Sequence, residues 1–154
     1  MPYPPALEKI VSFFESLTEE ERRENLIAYA EQAKHHAPRR DEAFDFEDLR
    51  KDAECTDIVG IFLRVDRGGR AAFCITLGPQ VQTLTRAMGA ILCKGLSGSR
   101  LKEIVDLHDD FVEKIVGSHL LRIRSQTVYY VLNRMKAACE TFLKKPRAIR
   151  HPAH

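Results

Sequence analysis

The chain has 154 residues, of which 44% are hydrophobic and 30% charged, with a formal net charge of +2. That length and balance describe one soluble globular domain of 1–154, with a core over about 7–143 and a basic tail from 144 to 154. They exclude a membrane-spanning protein, because no apolar run approaches the roughly 20 residues that a span requires. The opening segment MPYPPALEKIVSFFESL lacks the basic start, apolar stretch and cleavage site of a signal peptide, so a cytoplasmic chain is expected.

Residues 6–17 place Leu7, Ile10, Val11, Phe14 and Leu17 on one helical face. Thr18 and Glu21 form a T-x-x-E capping box that opens a second helix, predicted to turn Leu26, Ile27 and Ala30 inward and to end near Ala33. The stretch HHAPRRDEAFDFEDLRKDAE that follows is charged, broken by Pro38 and without periodicity, and is expected to be a long loop. Residues 58–65 read as a strand, and Asp66-Arg67-Gly68-Gly69 supply the glycines of a hairpin turn. The returning strand alternates Ala71, Phe73, Ile75 and Leu77 with Ala72, Cys74 and Thr76, and Gly78-Pro79 ends it.

A helix from about 80 to 94 is expected to bury Val81, Leu84, Met88, Ile91 and Leu92, followed by short helices at about 99–107 and 109–116. The final helix carries Val128, Val131, Leu132, Met135, Cys139 and Phe142 as one amphipathic stripe. Lys144 and Lys145 suit its negative end, and Pro146 stops it. Helices before and after a hairpin predict an α+β fold, a small antiparallel sheet with helices covering one face.

Charge is uneven along the chain. Residues 1–54 hold 14 acids and 8 bases, a balance of −6, whereas residues 55–154 hold 8 acids and 16 bases, or +8. Lys144, Lys145, Arg147 and Arg150 supply part of that excess, and a solvated tail explains them without nucleic acid, since no aromatic residues are interleaved. The four cysteines form no C-x-x-C pair and none lies near a histidine at zinc-finger spacing, so no metal site is expected. Cys139 falls on the apolar stripe and Cys93 at a helix end, both suited to packing; Cys74 is on the less apolar side of its strand. Cys55 alone is predicted to lie in a loop, where a thiol can be presented to another protein. Glu54 and Asp57 beside it disfavour a thiolate, and no histidine is close in sequence to act as a base.

Three segments give the chain a further likeness. DAECTDIVGIFLRV places Cys55 ahead of a strand; Leu96-Ser97-Gly98 leads into SRLKEIVDLH after a helix carrying Arg86; and SHLLRIRSQTVYYVLNRM contains His119, Leu120, Arg124 and Ser125 at the entry to the last helix. In order and spacing these resemble the SufE family of sulfur-acceptor proteins, over about residues 7–142. The chain departs from the family pattern in having Glu54 before the cysteine, Thr56-Asp57 after it, uncharged Gln80 and Gln82, Thr127 and no tryptophan.

The resemblance implies a SufE/IscU-like fold and a shuttle without a cofactor of its own. In it Cys55 takes sulfur as a persulfide from a pyridoxal-phosphate cysteine desulfurase and delivers it to an iron–sulfur scaffold. It implies Arg124, His119, Arg86 and Asp57 as supporting or partner-docking residues. Arg124, near the expected start of the last helix, is a cation where the helix dipole disfavours one, which calls for a carboxylate partner. The alternative is a SufE-like adaptor that docks on a desulfurase or scaffold without carrying sulfur. A homodimer stays open.

Overall fold

The computed structural model describes residues 3–53 and 55–145, with the side chains of 123–127 outside that description. Helix α1 (Pro5–Glu15) buries Leu7, Ile10, Val11 and Phe14. Helix α2 (Glu19–Gln32) starts at a complete capping box: Glu21 N donates to Thr18 Oγ1 at 3.2 Å and Thr18 N to Glu21 Oε1 at 2.9 Å. Its apolar face is narrower than expected. Leu26 is buried, but Ile27, about 100° further round, is 50% exposed beyond the edge of the packed face.

The segment expected to be a long loop instead contains a 3₁₀ turn (Ala33–His36) and a strand, β1 (Phe46–Arg50). Strands β2 (Val59–Val65) and β3 (Ala71–Leu77) form the expected hairpin, and the sheet order is β1-β2-β3, antiparallel throughout. In the turn, Gly69 takes a φ of 77°, a conformation that favours glycine, while its N–H bonds Asp66 O at 3.0 Å. Register puts Phe46, Asp48 and Arg50 on the same face as Leu63, Ile61 and Val59, and these beside Phe73, Ile75 and Leu77.

Helices α3 (Thr83–Leu96) and α6 (Ser118–Lys144) cover that face, α3 against β3 and α6 against β1 and β2. Two short helices, α4 (Leu101–Val105) and α5 (Phe111–Val116), lie between them, and α1 closes the core against α3 and α5. The stripe from Val128 to Phe142 is buried without exception. Gly117, with φ 87°, breaks the chain between α5 and α6, so α6 begins at Ser118. Arg124 is therefore six residues in, about two turns past the helix start. The dipole effect has faded there, which removes the expected reason for a carboxylate partner. The fold is the α+β arrangement predicted. Among the described residues, no helix is long and apolar enough to cross a membrane.

Candidate functional site

Cys55 lies in the connection between β1 and β2, and that connection is anchored on both sides. Upstream, the buried guanidinium of Arg134 on α6 reaches back to β1. Its Nε donates to Asp48 Oδ2 at 3.1 Å, Nη2 to the Asp48 carbonyl at 2.8 Å and Nη1 to Asp52 Oδ2 at 3.2 Å. Asp52 in turn accepts the Cys55 N–H through its carbonyl, at 3.1 Å. A buried cation needs paired carboxylates, so α6 fixes the approach to Cys55.

Downstream, the loop is tied to the segment joining β3 to α3. Thr56 Oγ1 donates to Gln80 O at 2.6 Å, and Gln80 N donates to Asp57 Oδ2 at 2.8 Å. The other Asp57 oxygen accepts the Ile58 N–H at 2.7 Å. These two backbone donors, Gln80 first, hold the Asp57 carboxyl below the usual carboxylate range. Gly78 makes this possible, since a Cβ there would overlap the Asp57 carboxylate. Arg86 completes the clamp from α3: Nε donates to Val81 O at 3.0 Å and Nη2 to Gly78 O.

Cys55, Thr56, Asp57, Val59, Val81, Gln82 and Thr85 line a small cavity of about 10 Å³. That is about the room one water-sized probe occupies. Val59 and Val81 are buried, and Cys55 is partly so. The wall contributed by Gln82 and Thr85 is the first turn of α3. The site is therefore a partly buried thiol beside a small nook at a helix start.

The four supporting residues divide. Asp57 and Arg86 join Cys55, and both act on the backbone of the two loops. His119 does not: it is exposed at the start of α6 and lines a separate cavity with Glu19, Arg22 and Arg23. The Arg124 side chain lies outside the described residues, as do Glu54 and the side chains of Ser125 and Thr127. Arg134 escaped the sequence because it interrupts the apolar run Val131-Leu132-Met135 as an ordinary charged residue would. Its partners Asp48 and Asp52 sit in a segment with no readable period.

The other thiols fall where expected. Cys93 and Cys139 are buried; burial pushes the Cys139 thiol up to about 12 and the Cys93 thiol strongly upward. Cys74 is half-buried on the outer face of β3, across from Phe62. No group of three or more His, Cys, Asp or Glu among the described residues could hold a metal ion.

Three comparisons bear on this site. The family described as SufE, an Fe-S metabolism associated domain, matches residues 8–139. The fold is similar to a solution structure of a hypothetical protein from Thermus thermophilus, with a TM-score of 0.72 and 22% identity over 93% of this chain and 99% of that one. No curated protein matches the chain in sequence.

Proposed function

The chain belongs to the SufE family of Fe-S metabolism associated proteins, and on that premise we propose that Cys55 accepts a sulfur atom from a cysteine desulfurase and hands it on toward iron–sulfur cluster assembly. The observation that carries this reading is the nook of about 10 Å³ beside Cys55, roofed by a loop tied down at both ends. A carrier has to shield its sulfur from stray thiols between partners, and a cavity this small beside a partly buried thiol limits their access.

The transfer follows thiol–disulfide exchange. Cys55 thiolate attacks the outer sulfur of the donor's persulfide; the new S–S bond forms as the donor's S–S bond breaks, and the electron pair leaves with the donor's thiolate. Nothing is oxidised overall, and the proton on the outer sulfur, when present, passes to solvent. Pyridoxal phosphate works on the desulfurase, so this chain needs no cofactor for the step. Docking has to lift the Cys55 loop, and the Asp57–Gln80 and Thr56–Gln80 bonds are the ones that give way.

Incubation with a desulfurase and cysteine is expected to add about 32 Da, one sulfur, to the Cys55 peptide. Cys55→Ser removes both the adduct and most of the stimulation of desulfurase turnover. Stimulation that survives Cys55→Ser favours the adaptor, and an adduct on Cys74 in place of Cys55 ends the proposal. The adaptor reading drew on acidic neighbours of the cysteine, yet the Asp57 carboxylate is engaged by two backbone N–H groups.

A further inference from the structure

Arg22, in the first turns of α2, is a partly buried cation that the chain leaves unmatched. Its Nε is buried and has no hydrogen-bond partner among the described residues, and Nη2 donates only to the Phe14 carbonyl, at 3.3 Å. It forms no ion pair among the described residues, whereas the buried Arg134 is met by Asp48 and Asp52. Removing a cation from water without a counter-charge is costly. The surroundings of the guanidinium add to that cost. Nη1 sits against Gly117, where an added Cβ would come within 2.8 Å of it. Gly117 precedes α6, a helix of 27 residues whose first turn no side chain caps. Its first bond runs from Leu121 N to Gly117 O at 3.1 Å, so the N–H groups of Ser118, His119 and Leu120 have no intrahelical acceptor. A cation and the positive end of a long helix are thus held side by side. These residues line a cavity of about 160 Å³ together with Arg23. Glu19 is the one carboxylate on its wall, and it forms no ion pair with either arginine among the described residues.

We infer that this cavity, between the start of α2 and the start of α6, binds a phosphate group, either free or at the end of a small phosphomonoester. A tetrahedral dianion takes the α6 amides on one side and the guanidinium groups of Arg22 and Arg23 on the other, and it supplies the missing counter-charge. A carboxylate offers two oxygens and one charge to the same donors and leaves part of the set unmatched. The cavity has about the volume of five waters, room for the five heavy atoms of a phosphate. No residue lining it lines the Cys55 nook, so the inference stands apart from the sulfur-acceptor reading.

The test titrates the full chain with inorganic phosphate, and separately with glycerol 3-phosphate, while chloride is withdrawn to hold ionic strength constant. Amide chemical shifts read the site directly. Those of Ser118, His119 and Leu120 are expected to move together and to saturate below about 10 mM. The tighter of the two probes tells the free anion from the phosphomonoester. Arg22→Gln is expected to weaken binding about tenfold, as loss of a charge-assisted hydrogen bond does. Arg23→Gln, at an exposed position, weakens it about threefold and leaves the fold intact. Glu19→Gln removes the opposing carboxylate and tightens binding about twofold, a gain that misfolding does not produce. Shifts that never saturate, or affinities unchanged in both arginine variants, overturn the inference. So does acetate that binds as tightly as phosphate, because a single carboxylate would then satisfy the site. Should Arg22→Gln fail to fold, Arg23→Gln and Glu19→Gln decide between them, since a real site requires their effects to run in opposite directions.

Discussion

Cys55 and Cys74 are both partly buried thiols, and their surroundings differ in the opposite sense from what a tally of charges suggests. Cys74 faces an open groove with His35, Arg39, Arg40 and Arg64, a cationic setting of the kind that activates thiols. Yet Arg64 is paired with Glu42, and the Cys74 thiol is raised, first by burial and then by Glu42. Cys55 has Asp57 as a neighbour, but that carboxylate is spent on the backbone of its own loops, and the first turn of α3 forms part of the wall beside it. The contrast between the two thiols lies in the direction and prior engagement of the charged groups around them rather than in their number.

The largest effect that separates the two sites is sulfur loading itself. Cys55→Ser is expected to abolish the desulfurase-dependent adduct, and Cys74→Ser to leave it within about twofold, since the reaction depends on which thiolate is presented to the donor. Next is the anchor upstream of Cys55. Arg134→Met leaves the partly buried Asp48 and Asp52 with the more exposed Arg50 as their cation and is expected to cost about 1–3 kcal/mol in denaturant unfolding. At denaturant concentrations where both proteins stay folded, alkylation at Cys55 rises in Arg134→Met and alkylation at Cys74 does not. Equal acceleration at both thiols would mean that Arg134 supports the sheet as a whole.

Strand β1 shows why one half of the site was legible in the sequence and the other was not. Its core-side positions are Phe46, Asp48 and Arg50, with Arg50 exposed and none of the three fully buried, so the strand presents no alternation of apolar and polar residues. The compensating Arg134 lies 86 residues away in sequence from Asp48. By contrast β2, β3 and the stripe of α6 bury apolar residues at regular period, and the Thr18–Glu21 box closes within one turn, so these elements are visible locally. Cys55 stood out because it lay outside every periodic element. The clamp across the two loops did not, because Asp57–Gln80 and Arg86–Gly78 depend on where two turns meet in space. His119 matched a family position but projects at another corner of the molecule.

The downstream clamp sharpens the same comparison at smaller scale. Gly78→Ala pushes the Asp57 carboxylate out of its seat and is expected to weaken its two backbone hydrogen bonds, which loosens the Cys55 loop. Iodoacetamide labelling at Cys55 then rises. Cys74, whose groove includes none of the clamp residues, keeps its rate. Asp57→Asn keeps the shape of the side chain but weakens the charge-assisted bonds, and is expected to fall between Gly78→Ala and the natural chain.

The smallest effect is that of pH, and its sign follows from Asp57. Its carboxyl is held below the ordinary range by the N–H groups of Gln80 and Ile58, so the folded state binds a proton less readily than the unfolded chain does. The resulting stabilisation is fully present above the unfolded carboxylate value of about 3.9 and is lost as pH falls through the lower, folded value. Acidification below about pH 4 therefore loosens the Cys55 loop before the sheet. Amide hydrogen exchange reads this directly: protection at Gln80 and Ile58 decreases through that window, while amides that pair β2 with β3 keep theirs. Asp57→Asn has no carboxyl to titrate, so in that variant protection at Gln80 starts lower and stays flat. A pH-dependent loss that persists in Asp57→Asn would place the titrating group elsewhere in the molecule.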